Sequence, residues 1–420
     1  MPSISRKKRL QFHESTQRAL CRMAFFCFAL LPIFAVGGYS LLKRTPWYQS
    51  YQKDWWERRL SDNLGVNVSF ASIEFPSPNK FRVKDLVCAN AETGRQILKV
   101  AQVTTLMDRS GWYVEVDKPE LNGAQIETAM RTVHDRYLCR PQSTASLLGL
   151  AMTELVISDG NESTKFQNVK VTLKPTEPMS ELKVSCLLDG QKFADQLSYF
   201  VVERDHVAQT TNWKINSADV AIPCRILSER FLELKNLGSQ ASFRGSIEGW
   251  QNDRQWEATV RGQFLAVDLA VVSTPYGKGL QGMGELNLAY AVFRDGKLRG
   301  VDGGFKSNSC IADTAWLDEL FAQQVLRSTD GDSWRAFGQR VTVNGLGIRF
   351  KSDTNKVIYA GATSPPLDMR EFWPDLAAYA ERKPIAFHDN CSMSLEALTL
   401  ALSAFPNQER IAGQVASGRR

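Results

Sequence analysis

The stretch "GKGLQGMGE", Gly277 to Glu285, spaces its first glycines as G-x-G-x-x-G. That spacing lets a backbone cradle a pyrophosphate when a strand precedes it and a helix opens after it. Here the following residues are "ELNLAYAVF". Leu286, Leu288, Tyr290 and Val292 alternate with Asn287, Ala289 and Ala291, which is the period of a strand. Asp295-Gly296 then predicts a tight hairpin turn. No helix N-terminus is available for a phosphate, so the stretch reads as a glycine-rich lead-in to a hairpin.

Four histidines and eight cysteines complete the reactive inventory. His13 belongs to the N-terminal tail, and His134, His206 and His388 are isolated in sequence, each with an aspartate within one residue. No C-x-x-C, H-E-x-x-H, P-loop or G-x-S-x-G is present. No catalytic, cofactor-binding or metal residue is therefore assigned. A hydrolase without a recognisable motif would need two or more of His134, His206 and His388 to meet carboxylates in one pocket. Cys88, Cys139, Cys186, Cys224, Cys310 and Cys391 are widely scattered; disulfides and buried free thiols both fit them. Three N-x-S sequons, at Asn67, Asn161 and Asn390, are read as chance.

These residues sit in a body that is mostly strand. From Gly65 the period is two: Val66, Val68 and Phe70 share a face, and after "PSPN" so do Phe81, Val83 and Asp85. "AETG" turns the chain before "RQILKVAQVTTL", and "WYVEVD" adds a fourth strand. "MTELVISDG", "TKFQNVKVTLKP" and "SELKVSCLLDG" repeat the plan, with Leu182, Val184, Cys186 and Leu188 opposite Lys183 and Ser185. Helices are expected from Pro223 to Gly238, from Ala312 to Leu326, and near Asp368–Glu381 and Ser392–Ala404. "VTVNGLGIRFKSDTNKVIYAGA" predicts a further hairpin. The expected fold class is mainly β with a few helices (α+β): antiparallel curved meander sheets behind an N-terminal transmembrane helix. Parallel β-α-β alternation is expected to be absent, which excludes the doubly wound nucleotide folds.

The N-terminus carries the membrane signal. Met23 to Leu42 holds no charge over 20 residues, and at about 1.5 Å per residue such a helix matches the ~30 Å hydrocarbon core. Arg6, Lys7, Lys8, Arg9, Arg18 and Arg22 precede it. Their excess predicts a cytoplasmic N-terminus and an extracytoplasmic, periplasmic body on the inner (cytoplasmic) membrane. A cleaved signal peptide is the rival reading, with Ala35-Val36-Gly37 as the small-residue site. The apolar run is longer than such peptides use, and Lys43-Arg44 closes it, so an uncleaved anchor is favoured. Trp47, Tyr48, Tyr51, Trp55 and Trp56 follow at the level where aromatic rings prefer the membrane–water interface. Pro46 suits the first turn of a helix there and Gly65 its end.

The net charge of +6 lies in the tail. Residues 1–44 hold eight Lys/Arg and one acid, Glu14, leaving 43 basic against 44 acidic groups in the body. That balance gives no basic face for nucleic acid. The divisions expected are a basic tail (1–22), the span (23–42), β-rich regions (45–221 and 222–365), C-terminal helices (366–406) and a disordered tail (407–420).

The layout resembles the AsmA-like family of bacterial envelope proteins. The resemblance lies in the anchor followed by "RLSDNLGVNVSFASIEFPSPNKFRVKDLVCANAETGRQILKVAQVTTL". It lies also in "GMGELNLAYAVFRDGKLRGVDGGFKSNSCIADTAWLDEL" and "VTVNGLGIRFKSDTNKVIYAGATSPPLD". It implies a non-catalytic role in membrane organisation or lipid handling, with the bilayer, lipid acyl chains or another envelope protein as partners. A curled sheet with one apolar face can shelter acyl chains from water. The body is expected to be short for a structure spanning two membranes.

Overall fold

The computed structural model describes residues 14–30, 41, 45–77, 79–107, 111–140, 147–160, 162–188, 197–228, 232–273, 279–322, 338–353, 356–363, 376–380, 383–387 and 391–394. It separates into two units, residues 1–63 and 64–420.

The first unit is helical where described. A helix runs Glu14–Phe25 and passes into a π-helical turn, Phe26–Leu30. Residues 31–40 and 42 of the expected span lie outside the described residues. Among those described, no helix is long and apolar enough to cross a membrane. A second helix, Pro46–Leu64, starts on the expected proline, and Gly65 follows it at φ +71°.

The second unit is a mainly β structure built on one large curved sheet. Its first strands are β1 (Asn67–Ser69), β2 (Ser72–Ser77), β3 (Lys80–Ala89), β4 (Gln96–Met107) and β5 (Gly111–Asn122). Next come β6 (Leu147–Asp159), β7 (Glu162–Pro175), β8 (Met179–Leu188), β9 (Ser198–Asp205) and β10 (Thr210–Asn216). Then β11 (Ile222–Pro223), β12 (Ser242–Gln251), β13 (Trp256–Asp268), β14 (Leu280–Arg294), β15 (Lys297–Ser307), β16 (Cys310–Asp313) and β17 (Arg340–Val343) follow. The last are β18 (Gly345–Asp353), β19 (Lys356–Gly361), β20 (Leu376–Ala380), β21 (Lys383–Phe387) and β22 (Cys391–Ser394).

Both β1 and β2 pair with β3. From there the ladder runs β3–β4–β5–β6–β7–β8–β9–β10–β12–β13–β14–β15–β18–β19–β22. No pairing among the described residues joins the two outer edges, so the sheet stays open. Sixteen strands at about 4.8 Å give a contour of roughly 70 Å across the ladder. The ladder continues unbroken past residue 221, through β10–β12.

Four expectations need correction. One pair, β5–β6, is parallel. Its crossover contains a helix, Ile126–Val133, and a π-helical turn, His134–Leu138, which the sequence reading passed over. Residues 376–380, 383–387 and 391–394 are strands, where helices were expected. "LAAYA" is a good helix former, but Gly345 and Leu346 of β18 pair with Tyr379 and Ala378, and tertiary pairing overrides local propensity. The helix expected from Ala312 begins at Thr314, because 310–313 pair with β14 and β17 as β16. The Pro223–Gly238 helix is broken into Cys224–Ser228 and a 3-10 stretch, Leu232–Leu237.

Candidate functional site

The glycine stretch opens a strand, as the alternation predicts. β14 begins at Leu280, inside it, and Asp295 (φ +50°) and Gly296 (φ +76°) form the expected tight turn. Its glycines serve close packing. A Cβ on Gly279 would stand 1.9 Å from Trp316, and one on Gly284 would stand 2.2 Å from the Phe305 ring. Residues 274–278 lie outside the described residues.

Two of the histidines converge on one polar row. Ser180, Arg204 and Thr211 are neighbours across β8, β9 and β10, and all three are buried. His206 Nε2 lies 2.9 Å from Ser180 Oγ. Asp135 Oδ1 lies 2.8 Å from His134 Nδ1, and a carboxylate only accepts, so Nδ1 donates. Nε2 then accepts from the Thr211 hydroxyl at 3.0 Å. That hydroxyl also accepts from Arg204 Nη1 at 3.2 Å.

His134, Asp135 and Cys139 hold ligand-type atoms within 4.8 Å of one another. Cys139 Sγ, however, stands 3.7 Å from both ring nitrogens. It therefore lies beside the ring and off the Nδ1 lone-pair direction that a metal would need. Burial raises the Cys139 thiol pKa, so it stays protonated. Thr211 and Ser180 are buried, whereas the side chains of His134 and Asp135 are 25% and 62% exposed. His13 and His388 lie outside the described residues.

The larger feature is the face that row borders. Register neighbours across the sheet run Phe81, Thr105, Val114, Leu150, Val171, Val184, Phe200, Ile215, Ile247, Val260, Ala291 and Val301. Twelve strands thus contribute one residue each, and all but one of these are apolar. A parallel row runs Trp112, Leu148, Leu173, Leu182, Val202, Trp213, Gly249, Ala258 and Phe293.

Matched irregularities keep this face apolar without shifting the register of β3 to β7 at their level. The apolar spacing steps from two to three at one level in five successive strands: Val83–Leu86, Val103–Val100, Val116–Pro119, Met152–Leu155 and Val169–Phe166. Asp85, Lys118 and Asn168 take left-handed φ of 53°, 49° and 50° at that level. One extra residue per strand rotates the next side chain back to the same face. Asp85 is exposed there, so the expected trio of Phe81, Val83 and Asp85 is corrected: the face resumes at Leu86. In β14 a register shift after Leu288 replaces the expected Tyr290 and Val292 with Ala291 and Phe293. In β8, Leu182, Val184, Cys186 and Leu188 share the apolar face as predicted.

The opposite face is polar: Thr172, Lys183, Val201, Lys214, Glu248 and Thr259 are register neighbours. Ion pairs cross it, among them Lys214–Glu248 and Arg294–Glu257. Two open cavities of about 530 and 630 Å³ have mixed linings, including Glu203, Asn212, Glu248 and Trp213 in one and Glu115, Asp117, Lys170 and Met152 in the other.

Among the described residues the apolar face is covered over several stretches: Ile126, Ile222 and Ile226 pack with Phe166, Val169 and Val184, and Leu317 packs with Phe305. Leu138, with Met130, Val133 and Tyr137, packs on Leu173, Leu182 and Val202. Leu227, Leu234, Leu237 and Val272 pack around Phe243, Ile247, Phe264 and Val267. Val103, Val114, Leu150, Phe200 and Ile215 are half-buried.

Of the topology residues, Arg6, Lys7, Lys8 and Arg9 lie outside the described residues, Arg18 pairs with Glu14, and Arg22 closes the first helix. On the helix Pro46–Leu64, Trp47, Tyr51 and Trp55 are exposed, and Tyr48 and Trp56 are half-buried. Trp47 stacks on Tyr51 at 6.2 Å, Trp55 meets Trp56 edge-on, and Arg59 lies over Trp55. The described cysteines are all free, including Cys88, Cys139, Cys186, Cys224 and Cys310. The chain matches no protein-family model and no curated protein sequence.

Proposed function

We propose that this is a membrane-anchored, extracytoplasmic protein of the cell envelope, non-catalytic, whose sheet shelters lipid acyl chains. The observation that carries the reading is the row from Phe81 to Val301, which crosses twelve strands, is apolar except at Thr105, and is half-buried along much of its length. Burying apolar surface is worth about 25 cal/mol per Å², and acyl chains are the solute with the most to gain from a long, non-directional surface. The AsmA-like resemblance and the N-terminal span support the same reading.

An anchored adaptor is the second reading. It is favoured by the stretches where other elements already fill the face, and by β2 and β22, each of which has one partner strand among the described residues. Photo-crosslinking separates the two. The full chain is reconstituted in phosphatidylglycerol/phosphatidylethanolamine vesicles with p-benzoylphenylalanine at position 200, on the row, or at 172, on the polar face. Lipid adducts at 200 well above those at 172 are expected. Equal yields, or adducts only to protein, would favour the adaptor.

A further inference from the structure

At one end of β4 and β5 the sheet is apolar on both faces. Outward along the polar face, β4 reads Gln102, Thr104, Leu106 and β5 reads Asp117, Glu115, Tyr113. The last register pairs are Leu106–Tyr113 on the polar face and Met107–Trp112 on the apolar one. Leu147 stands beside Gly111 at the start of β6. Phe81 meets Trp112 at 6.0 Å, and Phe75 meets Phe81 at 6.5 Å. Phe75, Leu106, Met107, Tyr113 and Leu147 are between 39% and 49% exposed. Nowhere else among the described residues do so many large exposed apolar side chains gather in the body.

We propose that this strand end docks into a lipid bilayer interface. A partner laid on the apolar face would leave Leu106 and Tyr113 on the other face in water. A phase that surrounds the strand end satisfies both faces, and a bilayer is such a phase. Trp112 and Tyr113 have the amphipathic rings that prefer the headgroup level. Lys80 neighbours Leu106 on the polar face, where its aliphatic stem can cross apolar surface while its ammonium reaches headgroups. Gly149 lacks the side chain that would crowd the Tyr113 ring, whose Cδ2 is 3.3 Å from where a Cβ would be. Docking goes beyond the proposed function, because it belongs to this end whatever the apolar row holds.

The test uses the same reconstituted full chain with p-benzoylphenylalanine replacing Tyr113, or in a second variant Leu147, and the position 172 control. Circular dichroism matching the wild type shows that each variant is folded. Lipid adducts at 113 and 147 severalfold above 172 are expected. Adducts at 200 but none at 113 and 147 would overturn docking while leaving the acyl-chain reading intact. Adducts at 113 and 147 but none at 200 would support docking and count against that reading. Protein adducts alone at 113 and 147 would overturn docking in favour of a protein partner.

Discussion

The glycines of β14 are placed by their neighbours. Gly284→Ala drives a methyl into Phe305, a ring packed among Leu269, Cys310 and Val341, so the cost should be that of overpacking, about 1–3 kcal/mol. Chemical denaturation would read it as a lower midpoint with an unchanged slope. The buried thiols make a second prediction. Burial pushes Cys224 up to about 12 and Cys88, Cys186 and Cys310 up to about 11 from an ordinary value of 9.0. Above pH 9 the unfolded chain releases these protons and the folded one holds them. Stability should therefore be full below pH 9 and fall from pH 9 towards 11–12. Denaturation midpoints at pH 8 and pH 10.5 measure that slope, and Cys224→Ala should make it shallower.

Among the elements, the crossover Ile126–Leu138 is the piece that rests on the apolar face. Leu138 is 1% exposed among Leu173, Leu182 and Val202, so Leu138→Ala should cost about 2–5 kcal/mol. The irregular level of β3, β5 and β7 predicts a change of opposite sign. Lys118 is held at φ +49°, where a side chain costs about 1–2 kcal/mol, and Lys118→Gly should stabilise by up to about 1 kcal/mol after the entropy of glycine is counted. Thermal unfolding of both variants checks these signs. Strand identity was largely legible in the residues from Gly65 to Gly361, because each strand alternates over a polar and an apolar face. The steps of three were not, because an extra residue in one strand has meaning only beside its neighbours. The crossover helix was legible and was passed over: Ile126, Met130, Val133 and Tyr137 recur at spacings of four, three and four, the period of an amphipathic helix. The C-terminal strands failed the other way: they are only four or five residues long, one of them is alanine-rich, and β20 and β22 pair with β18 and β19 more than thirty residues earlier.

Across the whole molecule, strand length measures only one direction of the sheet. The sheet grows along its hydrogen bonds, so sixteen strands give a contour near 70 Å, and the apolar row follows that direction. What no local pattern shows is that residues as distant as Phe81 and Val301 belong to one row; only the ladder joins them. Topology is tested separately. A reporter enzyme that matures only outside the cytoplasm, fused after Gly65, should be active, and activity of a cytoplasmic reporter at that site would reverse the orientation. The central claim concerns the row itself, and native mass spectrometry of the full chain is its most direct measurement. Wild-type protein should carry bound phospholipid that is lost from the folded variant Phe200→Glu/Ile215→Glu, whose carboxylates interrupt two neighbouring positions of the row. Identical lipid content in the two proteins would contradict the claim.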